Sequence, residues 1–230
     1  MPEQITLYGH GYSPYCISAY IAFDEAGVDY THHVIDVTNK PAWFIESVNP
    51  VGKIPAITYG GPSVPPDQPS PESRKISESR VIADFVADLN PAAHLVPADL
   101  LARVDMRLAI LDWVHHGLGV WSGVFSGPRP TEDLFVWLED LQRRLPPTGF
   151  VAGTFSLADI VMVPFLKLPV WFWENGLAKG DGKKYLEMLQ EPKFARLRKY
   201  LEDLDARPSV QRSWDVEALL ERWPDILKGN

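Results

Sequence analysis

The sequence predicts two units in series: a mixed α/β unit with a four-stranded sheet over residues 1–90 and an all-α bundle over residues 98–230. Three observations carry this expectation. Up to about residue 90, short apolar runs bounded by Gly or Pro alternate with helical stretches. Beyond that point the apolar spacing is three and four almost everywhere. Between the two lies "NPAAHLVP" (90–97), aperiodic and proline-bounded, which reads as a linker.

The elements follow in order. Ile5 and Leu7, flanked by Thr6 and Tyr8, make a short strand that Gly9 and Gly11 close. Pro14 suits the first turn of a helix that sets Ile17, Tyr20, Ile21 and Phe23 on one side and stops at Gly27. "DYTHHVIDV" is a second strand, and a Pro-led helical piece follows around Trp43–Ser47. "NPVGKIPAITYG" gives a third strand opening at Pro55, and "RKISES" a fourth. Val81, Ile82, Phe85, Val86 and Leu89 mark one face of the next helix. The order β-α-β-α-β-β-α contains one βαβ unit, whose crossover should be right-handed. "GGPSVPPDQPSPES" (60–73) is too polar and Pro-rich to pack, and predicts a long exposed loop between strands three and four. In the second half, Leu101, Val104, Leu108 and Leu111 mark the apolar face of one helix, and Leu134, Leu138, Leu141 and Leu145 that of another. "EPKFARLRKYLEDL" begins near Pro192 and turns Phe194, Leu197, Leu201 and Leu204 inward.

Bulk properties narrow the function. A formal charge of −8 and a pI near 5.2 argue against nucleic acid or an anionic membrane as the main partner. The single cysteine cannot form an intrachain disulfide, which suits a reducing, cytoplasmic compartment. "MPEQITLYGH" lacks the basic-then-apolar pattern of a signal peptide, and no apolar run reaches the ~18–20 residues of a membrane span. His115 and His116 are adjacent on a helix and point apart, with no ligand spacing to complete a set, so no metal is expected.

The chemistry concentrates in "SPYC" (13–16), the spacing of a dithiol redox site with serine at its first position. Ser13, before Pro14 at a helix N-terminus, sits where backbone N–H groups and the helix dipole favour an anion. A hydroxyl there can donate one hydrogen bond to a thiolate, but it is a poor nucleophile without a general base. Ser13 acting only as a cap is the plainer alternative. Cys16 is read as packed and inert, with catalysis as the open alternative. Tyr12 and Tyr15 flank the site.

The element order, the S-x-x-C site, "NPVGKIPAI", "ISESRVIADFV" and "TFSLADIVMVP" together resemble the glutathione transferase superfamily across nearly the whole chain. The serine form is similar to tau-like sequences and to omega-like ones, including fungal omega-like members. The resemblance implies a thioredoxin-like first unit with glutathione as co-substrate, and a homodimer. It implies a cis Pro55, with Ile54 pairing the cysteinyl backbone. Glu78 would take the ammonium, Ser79 the γ-glutamyl carboxylate, and Lys40 and Lys53 the glycyl carboxylate. Ser156 and Asp159 would form a buried capping box. The acceptor pocket must then come from the helical unit. Tyr12, Tyr15, Trp121, Phe125, Trp171 and Trp173 are expected to line it, with Trp113 and Phe172 as further material. The expected function is a glutathione transferase in which Ser13 stabilises the thiolate for attack on hydrophobic electrophiles or peroxides. Two alternatives stand beside it: a weakly catalytic or non-catalytic binding protein for aromatic metabolites, and a thiol transferase or reductase using Cys16.

Overall fold

The computed structural model describes residues 3–178 and 180–228. The first unit runs β1 (Ile5–Gly9), α1 (Pro14–Ala26), β2 (Thr31–Val34), α2 (Ala42–Ser47), β3 (Ala56–Tyr59), β4 (Arg74–Ser77) and α3 (Ser79–Leu89). Its sheet has the order β2-β1-β3-β4, with β1 parallel to β2 and the other pairs antiparallel. Leu7 sits opposite His32 on one side and Ile57 on the other.

The period-two pattern of β1 explains why this sheet is covered on both faces. Ile5, Leu7 and Ile57 join the main core with α1 and α3, whereas Tyr8 and Ala56 join a second, smaller core with Ile35, Phe44 and Val48 under α2. Gly27, in the left-handed region at φ 60°, ends α1 and returns its N–H to Asp24 and Phe23.

Residues 60–73 form a loop, but not a free one. The Gln4 amide brackets Val64, donating to its carbonyl and accepting from its N–H, both at 3.0 Å. The Tyr8 hydroxyl donates to the Pro66 carbonyl at 2.8 Å, and the Lys75 ammonium to the carbonyls of Ser70 and Ser73. Ser70 and Ser73 are buried. Prolines remove N–H donors from the loop but leave its carbonyls, and three side chains of the sheet side satisfy those.

The second unit comprises α4 (Leu100–Asp112), a π-helical turn (Trp113–Gly117), α5 (Leu118–Phe125), α6 (Thr131–Arg144), α7 (Leu157–Glu174), α8 (Gly182–Gln190), α9 (Ala195–Asp205), α10 (Pro208–Arg212) and α11 (Val216–Lys228). The axis of the bundle is α7, whose first turn closes the capping box of Ser156 and Asp159. The Asp159 carboxylate, fully buried, accepts from Ser156 N (2.9 Å), Ser156 Oγ (3.0 Å), Val151 N (3.1 Å) and the Tyr200 hydroxyl (2.7 Å). Burial pushes its pKa up, and these four donors oppose that.

In α4 the helix is as predicted but its buried side is not. Met106, Ile110 and Trp113 face inward, while Leu101 (75% exposed), Leu108 (57%) and Leu111 (47%) face solvent. Two apolar stripes lie on one helix, and periodicity alone does not rank them.

The two units share one apolar core through α1 and α7, and ion pairs and an indole add to it. Arg207 grips Glu25 at 2.8 and 2.5 Å while the Ser209 hydroxyl bonds the same carboxylate, and Arg212 pairs with Asp24 at 2.9 Å. Trp223 Nε1 of α11 donates to the Tyr12 carbonyl at 3.0 Å, fixing the loop that carries Ser13. Among the described residues, no helix is long and apolar enough to cross a membrane.

Candidate functional site

A cleft of about 680 Å³ opens between the C-terminal edge of the sheet and the α4–α5 junction. It gathers Lys40, Lys53, Ile54, Pro55, Glu78 and Ser79, all six residues expected to hold a peptide co-substrate. The Ile54–Pro55 peptide is cis. Asn49 fixes the turn before it: its buried side-chain amide donates to the Lys53 carbonyl (2.8 Å), and its Oδ1 accepts from Val51 N (3.2 Å). The sequence reading missed Asn49, although an Asn-Pro turn announces such bonds.

Glu78 holds φ 71°, a region sparsely used by residues other than glycine, and directly precedes the first turn of α3. Ser79 is the first residue of that helix, so its hydroxyl lies at the α3 N-terminus, where backbone N–H groups and the helix dipole favour an anion. Glu78 thus sets one carboxylate beside an anion-binding helix end, while Lys40 and Lys53 stand as cations on the same cleft. That is a receptacle for a ligand bearing both signs. Asp84 and Arg80, one turn apart on α3, also line it. Burial pushes the Asp84 carboxyl up, and Arg80 pulls it back. Neither was foreseen.

Ser13 is the N-cap of α1. Its Oγ accepts from Cys16 N at 3.4 Å, and the residue is 6% exposed. It is not among the cleft-lining residues; Tyr15, two residues on, is. Cys16 is completely buried, and desolvation pushes its thiol up to about 12, against the opposing pull of hydrogen bonds from the His10 backbone and Ser13. A thiol so placed is neither ionised at neutral pH nor accessible.

The apolar wall differs from expectation. It is made by Tyr15, Val37, Val81, Val114 and Leu118. Tyr15 is 40% exposed and packs its ring on Phe165 (5.2 Å between centroids, edge-on). Burial raises the Tyr15 phenol, and the charge of Glu78 raises it further. Trp121, Phe125 and Trp173, expected on the acceptor cleft, are instead buried in the bundle core, as are Trp113 and Phe172. Trp121 and Trp113 lie behind Phe165, at 5.4 and 4.8 Å between centroids. Trp171 is also largely buried and borders only a separate pit of about 190 Å³ beside Lys167 and Trp214. Tyr12 is 9% exposed; burial raises its phenol, and Arg222 of α11 opposes that. Gly117 lets two tryptophan rings pack closely. A Cβ on Gly117 would collide with the Trp113 ring and come within 2.7 Å of the Trp137 ring. Among the described residues, no group of His, Cys, Asp or Glu is arranged to hold a metal ion.

Three comparisons bear on this geometry. Residues 7–94 match the family described as "Glutathione S-transferase, N-terminal domain". The chain is 33% identical to the Arabidopsis thaliana protein "Glutathione S-transferase DHAR3, chloroplastic" over 211 residues, covering 87% of this chain and 75% of that protein. Among solved structures it superposes on glutathione transferase Omega 1C from Trametes versicolor with a TM-score of 0.94 and 41% identity, over 99% of this chain and 98% of that one. It also superposes on glutathione transferase Omega 2S from the same organism, in complex with 2,4-dihydroxybenzophenone, with a TM-score of 0.90 and 42% identity, over 96% of this chain and 98% of that one.

Proposed function

The chain belongs to the omega class of the glutathione transferase superfamily, and on that premise we propose that it holds aromatic, hydroxylated compounds over bound glutathione, with Ser13 supporting slow conjugation at the same place. The cleft supports this reading by its division of labour. Glutathione runs from Glu78 and Ser79, which take the ammonium and carboxylate of its γ-glutamyl end, past the Ile54 backbone, towards Lys40 and Lys53. Its sulfur points to the N-terminus of α1, where the Ser13 hydroxyl donates to the thiolate. An aromatic ring then stacks on the exposed face of Tyr15 against Val114 and Leu118.

Binding outweighs turnover in this reading because Ser13 Oγ is paired with a backbone amide and with no base among the described residues. Stabilising a thiolate is the whole of its chemical contribution. The Omega 2S relative in complex with a dihydroxybenzophenone favours the aromatic-binding alternative over a purely catalytic role. The burial of Cys16 speaks against thiol transfer through that residue.

In the same reading, residues 1–90 supply the glutathione half of the site and residues 98–230 the aromatic half. The single cysteine suits the cytoplasm. The exposed stripe Leu101, Val104, Leu108 and Leu111 on α4 is the seam of a homodimer. Light scattering should give twice the chain mass for the parent and the chain mass for Leu108→Glu; a monomeric parent ends that assignment.

The test of function is to set dye binding beside turnover. A fluorescent aromatic dye should bind at micromolar concentration and be displaced by 2,4-dihydroxybenzophenone, and Tyr15→Ala and Leu118→Ala should each weaken it severalfold. Conjugation of a standard electrophile should be slow. Rapid conjugation with no dye displacement would reverse the order of the two readings.

A further inference from the structure

A second cavity, of about 560 Å³, lies between α1, the edge strand β2 and the α10–α11 junction, and shares no lining residue with the glutathione cleft. Its walls are aromatic. Tyr20 and Tyr30 stand parallel, with centroids 6.5 Å apart and planes 4° apart, and His32 meets Tyr20 edge-on at 5.1 Å. Its charge is negative. Of the three carboxylates present, Asp24 is held by Arg212 at 2.9 Å, which leaves Asp29 and Asp215 without a basic partner among the described residues.

Beside the Ser213 and Tyr30 hydroxyls and the Arg212 guanidinium, which can donate, the cavity holds three acceptor groups. Asp215 Oδ1 accepts from Ala218 N at 3.0 Å as the cap of α11, and its Oδ2 remains. That carboxylate leans over Gly11, where a Cβ would come within 2.7 Å of Oδ2, so only glycine at position 11 admits it. His10 Nδ1 is a buried nitrogen with no hydrogen-bond partner, on a ring that borders the cavity. The hydroxyl of Tyr20 is already bonded to His32 Nε2 at 2.9 Å, which leaves its ring as a wall. Burial holds His32 below its ordinary value, so it brings no positive charge at neutral pH.

We propose that this cavity binds a small organic cation, a protonated amine carrying an aromatic or flat apolar body. An ammonium has three donors and no acceptor. With the proton of His10 on Nε2, the cavity offers His10 Nδ1, Asp215 Oδ2 and the Asp29 carboxylate to receive them. The Tyr20 and Tyr30 rings present negative faces to the same charge. An anionic aromatic of the kind assigned to the glutathione cleft meets two unpaired carboxylates here, and a neutral hydroxyl brings one donor where an ammonium brings three. The two sites therefore select ligands of opposite character.

The experiment uses the full chain with phenethylammonium as probe and 2-phenylethanol as its neutral isostere, read by calorimetry and by chemical-shift changes. The ammonium should bind, the alcohol at least tenfold more weakly, and saturating glutathione should leave the ammonium affinity unchanged. Asp215→Asn keeps a capping side chain for α11 and should weaken the ammonium at least tenfold, as should Asp29→Asn, which carries no structural bond. Equal affinity for the two probes, displacement by glutathione, no effect of Asp29→Asn, or no binding at millimolar ammonium would each overturn the proposal.

Discussion

Removing the hydroxyl at position 13 separates two jobs that one oxygen performs. As a cap, Ser13 Oγ accepts from Cys16 N at 3.4 Å, a long bond, so Ser13→Ala should cost about 0.5–1 kcal/mol of stability, the low end for a lost N-cap. For a chain of this size that lowers the melting temperature by ~1–4 °C. As a donor to a thiolate, the same hydroxyl contributes about 1.5–3 kcal/mol. Dividing by 1.36 kcal/mol per pKa unit, the thiol of bound glutathione should rise by ~1–2 units. The thiolate fraction at pH 7, and with it the conjugation rate, should then fall by ~10–100-fold, while glutathione affinity stays within about tenfold because the peptide's other contacts remain. The assay is an ultraviolet titration of thiolate in the enzyme–glutathione complex, paired with single-turnover conjugation and a melting curve. Ser13→Thr should restore both properties. A bound-thiol pKa that does not move, with turnover unchanged at saturating glutathione, would leave Ser13 as a cap and nothing more.

Three further outcomes follow from the same geometry. Native Cys16 should resist iodoacetamide at pH 8 and react only after denaturation. Its folded pKa (about 12) lies above the ordinary thiol value of 9.0, so its contribution to stability is whole below pH 9 and is lost as pH climbs towards 12; rapid native labelling would contradict the burial. Asp159→Asn keeps the shape but turns an NH₂ towards donors, and should cost about 3–5 kcal/mol in urea unfolding, as breaking a buried charged network does; a loss under about 1 kcal/mol would mean the carboxylate is not the bundle's keystone. Glu78→Ala should raise KM for glutathione on the order of tenfold with kcat within about twofold, because it acts on the far end of the peptide in ground and transition states alike; an effect confined to kcat would place the γ-glutamyl end elsewhere.

The half of the cleft proposed to hold glutathione was legible because its residues act through backbone and local spacing. Pro55, the Glu78–Ser79 turn and the Ser156–Asp159 box each announce themselves within a few letters, and all fall where local chemistry puts them. The aromatic half was not legible, because burial is decided by partners far away in sequence. Trp121 is covered by Phe165 and Trp223, and Trp173 by Phe135 and Tyr185, none of them near neighbours. The wall residues Val114 and Leu118 are ordinary aliphatics with nothing to mark them in one dimension. Likewise, the choice between the two apolar stripes of α4 depends on where α7 lies, and the docking of the 60–73 loop depends on Tyr8 and Gln4, about 58 to 60 positions earlier.

The π-helical turn Trp113–Gly117 amounts to one residue more than a regular helix needs where α4 runs into α5. Deleting a single residue there would let the helix run on regularly with α5 keeping its present face, because the wide turn already absorbs that residue; a second deletion, with no surplus left, would rotate everything beyond it by about 100°. Leu118 would leave the cleft wall, and a residue now facing elsewhere would take its place, while Glu78, Ile54 and the lysines stayed untouched. Ligand preference and co-substrate recognition can therefore drift independently in a lineage. The turn is thus a buffer: one residue can be lost there without moving Leu118, and the next loss would turn that part of the wall away in a single event.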